Sequence, residues 1–120
     1  MSFLSDFGNR IGSVFGAAPQ GYAEPFSFKK LAKRAAKEME RETYEIDGVD
    51  TAPALYTVLV APQDDSLMRP LYADLTAEVS DFVAAQAQQK DYVFVGQPLV
   101  RFMVDPSLKP GKFAVFAENV

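Results

Sequence analysis

The sequence contains no cysteine, no histidine and no tryptophan. Without cysteine there can be no disulfide framework and no thiolate metal site, which suits a reducing, cytoplasmic setting. Without histidine the chain lacks the one side chain whose unperturbed pKa lies near neutrality. Ser–His and Cys–His catalytic pairs are therefore excluded, and zinc would have to be held by carboxylates alone. No apolar run approaches the roughly 20 residues that span a bilayer. The N-terminus lacks the basic, apolar and small-residue succession of a signal peptide. These absences predict a non-enzyme with no cofactor.

What is present is an ordinary globular mixture, 48% hydrophobic and 23% charged over 120 residues, enough for one modest domain. The net charge of −4 is unevenly placed. Residues 1–41 sum to +3 and the remainder to −7. Such asymmetry marks a candidate partner surface.

Residues 1–22 read as an amphipathic segment and a linker, and residues 23–120 as an α+β domain. Phe3, Leu4, Phe7, Ile11, Val14 and Phe15 recur at helical spacing and form an apolar stripe. Phe3, Phe7, Ile11 and Phe15 are its main anchors. The polar face carries Arg10 as its only cation, which favours packing or fraying over membrane anchoring. The composition of Gly16–Glu24 is that of a linker.

Ser27 is the expected N-cap of a helix reaching Glu42. Lys29, Lys30, Lys33, Arg34 and Lys37 crowd its exposed side, near the helix N-terminus where the dipole disfavours cations. They are the candidate partner-binding residues. Thr43–Ile46 reads as a short strand and Asp47-Gly48 as a turn. A loop or bulge is expected before the apolar strand Leu55–Val60, which should be central. Asp64-Asp65-Ser66 offers capping chemistry for a long helix ending near Gln89, with Pro70 in its first turn. Tyr92–Val95 is a short apolar run. Leu99–Val104 and Lys112–Ala117 read as strands forming an antiparallel hairpin. Leu31, Leu55, Val58, Leu75, Val79, Phe82 and Phe102 are expected in the core. The order helix-strand-strand-helix-strand-strand predicts two helices on one face of a four-stranded, mainly antiparallel sheet.

Asp64–Asp65 could serve as a catalytic carboxylate pair, but adjacent acids before a helix are more commonly capping and loop residues. The basic helix 27–42 leaves open a small-ligand or nucleic-acid module. The acidic remainder argues against nucleic acid, because it repels phosphate. A protein partner, not identified by the sequence, is favoured, with an anionic membrane surface as the second choice.

Several blocks, in order, resemble the N-terminal domain of FhaA-type proteins, an actinobacterial family. They are Phe7…Phe15-Gly16, Pro25 with Leu31 and Arg34-Ala35-Ala36, and Ala52-Pro53-Ala54-Leu55-Tyr56-Thr57-Val58. Tyr92-Val93-Phe94-Val95-Gly96, Val100-Arg101-Phe102 and Leu108…Gly111-Lys112-Phe113 complete the set. The family pattern has an acid where Ser27 and Ala35 stand and an asparagine where Ala54 stands. The resemblance implies a scaffold domain of an adaptor in Ser/Thr kinase signalling, at the inner face of the membrane and linked to cell-wall synthesis. Family members carry a second, forkhead-associated domain that binds phosphothreonine peptides. The resemblance spans only the first domain, so no phosphopeptide-binding residue is carried over.

Overall fold

The computed structural model describes Asn9 and residues 25–119. The apolar stripe of Phe3, Phe7, Ile11 and Phe15 and the linker Gly16–Glu24 lie outside the described residues.

Helix α1 runs Phe28–Glu42, with the Ser27 side chain accepting the Lys30 N–H at 3.3 Å. Thr43 closes the helix, its hydroxyl donating to the Met39 carbonyl at 2.7 Å. Strands β1 (Tyr44–Ile46) and β2 (Val49–Ala52) form a hairpin. Asp47 and Gly48, at φ 50° and 81°, make the two-residue turn, matching the twist of the strands they join. The loop expected over residues 49–52 is thus a strand.

Strand β3 (Leu55–Val60) follows, then α2 (Pro62–Met68), a 3-10 turn (Arg69–Leu71) and α3 (Tyr72–Gln89). One long helix was expected here. Pro70 lacks the N–H that would continue the ladder and crowds the preceding turn, so the helix breaks around it. Asp64 and Asp65 do not cap: Ala61 is the cap residue, and both acids lie in the first turn of α2. Strands β4 (Val93–Phe94), β5 (Leu99–Val104) and β6 (Phe113–Glu118) complete the chain.

The α+β class stands, with a different sheet arrangement from the one expected. Among the described residues six strands form two three-stranded mixed sheets, ordered β1-β2-β4 and β5-β3-β6. β2 runs parallel to β4, and β3 parallel to β5. β5 and β6 are not a hairpin; they flank β3 on opposite edges, with β6 antiparallel to it. The physical reason is the helical connection between β3 and β5, long enough to return the chain in the same direction. The loop 105–112 then carries it across to the other edge. Proline at 53 and 98 separates the two ladders, and the Leu99 N–H donating to the Ala54 carbonyl at 2.7 Å joins them.

Alternation sets the two faces of the β5-β3-β6 sheet, the larger of the two by strand length. Tyr56, Val58 and Val60 on β3, Val100 on β5, and Val115 and Ala117 on β6 are buried. Phe28, Leu31, Ala32, Ala35 and Met39 of α1 and Leu75, Val79, Phe82, Val83 and Ala87 of α3 share that core. Of the expected core residues, Leu31, Val58, Leu75, Val79 and Phe82 are buried, whereas Leu55 and Phe102 are half-buried. Leu55 points to the face away from the helices. Phe102 lies at the rim, stacked on Tyr72 with ring centroids 4.8 Å apart.

Candidate functional site

The buried stripe of α1 turns the opposite side of the helix to water. Lys29, Lys30, Lys33, Arg34 and Lys37 are all exposed there, so the structure gathers the five candidates on one face. Among the described residues, Lys29, Lys30, Lys33 and Lys37 make no ion pair. Their charge is left to solvent, and Lys29 and Lys30 lie in the first turn, where the dipole least favours a cation.

Arg34 differs. Its Nε lies 3.7 Å from Glu38 Oε1, and Arg41 Nη1 approaches the same oxygen at 3.8 Å. Glu38 is nearly buried, although the helix interior offers a carboxylate no other counter-charge. At the far end, Lys90 Nζ meets Glu40 Oε1 at 2.8 Å. That hydrogen bond, reinforced by the charge attraction, raises the Lys90 pKa and ties the end of α3 to α1.

One flank of α1 borders β6. Arg34, Glu38, Arg41 and Glu42 face Ala114–Ala117 across a groove of about 230 Å³. The sequence made the cations legible but not this groove, which exists only because β6 lies on the α1 side of the sheet. Arg41, one turn beyond Lys37, belongs to the surface and was missed. Its spacing of seven from Arg34 was the available signal.

The face of the larger sheet away from the helices is apolar and open. Leu99 is 61% exposed, Phe116 55% and Met103 46%. Arg101 lies across it, its Nε donating to Thr57 Oγ1 at 2.9 Å and its Nη2 3.8 Å from Glu118 Oε1.

The adjacent acids are structural. Asp64 is 3% exposed, and its Oδ2 accepts the Gly111 N–H at 2.7 Å. Asp65 accepts from Arg69 Nε at 2.9 Å and from the Tyr72 hydroxyl at 2.7 Å. Their hydrogen bonds tie loop 105–112 to α2, and α2 to α3. Among the described residues no group of three or more acids could hold a metal. No helix among them is long and apolar enough to cross a membrane.

No curated protein matches the chain. A solved chain described as "Rv0020c_Nter structure" is similar to it, with a TM-score of 0.68 and 18% identity. That likeness covers 95% of this chain and 79% of the other, and at this identity it speaks to the fold. The sequence profile described as "FhaA, N-terminal domain" matches residues 4–116. The chain therefore belongs to the FhaA N-terminal domain family.

Proposed function

We propose that this domain is a non-catalytic interaction module of an FhaA-type adaptor, docking an acidic protein surface through the exposed face of α1. The single observation that carries this reading is the set of cations Lys29, Lys30, Lys33 and Lys37 on one helix face, without an ion-pair partner among the described residues. Four like charges held together on one face of an otherwise acidic chain form a local positive patch complementary to an acidic surface. The remainder of the chain, at −7, repels any anionic partner, and nucleic acid, with its dense run of phosphates, most of all. The non-catalytic reading draws on the absent histidine and cysteine and on the structural engagement of Asp64 and Asp65. By family resemblance, the setting is Ser/Thr kinase signalling linked to cell-wall synthesis, on the cytoplasmic side of the membrane.

The test compares this chain with its Lys30→Glu, Lys33→Glu, Lys37→Glu variant in pull-downs from native cells and on anionic vesicles. The variant is expected to fold and to lose the protein partners that the wild type retains. Undiminished capture by the variant would place the docking surface elsewhere. Loss of vesicle binding alone would make the ligand a lipid surface instead.

A further inference from the structure

β6 is an edge strand. Its inner side pairs with β3, and among the described residues its outer side pairs with no strand. In an antiparallel pair, every second residue turns its N–H and C=O outward. Among the described residues no hydrogen bond reaches those outward groups.

Edges of this kind are usually guarded by lysine, proline or a bulge. β6 reads Phe-Ala-Val-Phe-Ala-Glu, with no guard before Glu118. The opposite edge, β5, carries Arg101 at its middle, and the outer strand β1 of the smaller sheet spans only Tyr44–Ile46. The unguarded edge is also the one beside the cations.

Two surfaces would flank a strand added there. On the helix side, Arg34 and Arg41 border the groove. Glu38 and Glu42 line the same groove, but their contacts to Arg34 and Arg41, at 3.7, 3.8 and 4.0 Å, are longer than hydrogen bonds, so the guanidinium N–H donors can turn to an incoming carboxylate. On the other side, Phe116 stands exposed on the open sheet face. Side chains of an added strand alternate between these surfaces.

We propose that the groove between α1 and β6 takes an extended segment of a protein partner with acidic and apolar residues in alternation. The segment adds as a strand to the outer edge of β6. Its carboxylates meet Arg34 and Arg41, and its apolar side chains lie beside Phe116. Strand addition of this kind draws affinity from the main chain and specificity from alternate side chains. The inference rests on the reading of α1 as a docking face and names the occupant of its β6 flank.

The probe is a labelled, end-capped peptide of alternating valine and glutamate, roughly eight residues long, enough to pair along one strand. Binding is read by fluorescence anisotropy, and the bound edge by amide hydrogen exchange in β6. The expected result is binding of the Val-Glu peptide with slowed exchange in Ala114–Ala117. N-methylation of alternate peptide nitrogens, and the Val-Lys counterpart, should each weaken binding about tenfold or more, as should Arg34→Gln with Arg41→Gln. Phe116→Lys, at an exposed position, is expected to weaken binding without disturbing the fold. Equal binding of the N-methylated peptide would overturn strand addition while leaving charge-driven docking to α1 intact. Equal binding of the Val-Lys peptide, or none of the Val-Glu peptide, would overturn the proposal as well.

Discussion

Tyr56 places a hydroxyl in the core without a hydrogen-bond partner among the described residues, although the residue is 0% exposed. Leaving such a group unpaired costs about 1–3 kcal/mol, so Tyr56→Phe is expected to hold or raise stability in denaturant melts. Burial also pushes its pKa well above the usual 10.0. The native state therefore keeps a proton that the unfolded chain gives up. Stability from this group is fully present below pH about 10 and falls above it by about 1.4 kcal/mol per pH unit. Alkaline melts of the Tyr56→Phe variant should lack that part of the decline; identical wild-type and variant curves would show a hydroxyl that ionises in the native state as readily as in the unfolded chain. Leu75, fully buried on the inner face of α3, should cost about 2–5 kcal/mol as Leu75→Ala. A loss under about 0.5 kcal/mol would place it at the surface.

At the scale of elements, caps and turns decide the boundaries. Ser27→Ala should cost about 1 kcal/mol through loss of the N-cap of α1, measured by thermal or denaturant melts. No change would mean that the first turn is held by packing alone. The limits of α1 and β3 were legible because Ser27 and the prolines at 53 and 62 are local signals. So was the Asp47-Gly48 turn. Its second strand was not, because Val-Asp-Thr-Ala carries little apolar alternation and has both residues of its buried end small. The break at Pro70 was underread: proline is tolerated in a first turn, and α2 starts early enough to put it at the end instead. Strand order was beyond reach, since periodicity gives the face of a strand but not its neighbour. The cations of α1 were therefore visible in the sequence, and the groove they share with β6 was not.

For the whole molecule, charge is the organising feature. A basic helix face sits on a chain whose remaining residues carry a net −7, so the field around the domain changes sign across its surface. Surface ion pairs such as Lys90–Glu40 contribute little to stability. Reversing Lys30, Lys33 and Lys37 should therefore leave the melting transition nearly unchanged while altering association. The most direct test of the central claim is the salt dependence of binding to poly-glutamate by wild type and by the Lys30→Glu, Lys33→Glu, Lys37→Glu variant. Wild-type binding is expected to be strong at low ionic strength and to fall steeply towards physiological salt, where screening sets in over about 8–10 Å. The variant is expected to bind weakly at every salt concentration; a variant that binds as tightly as wild type, with the same salt slope, would contradict the account.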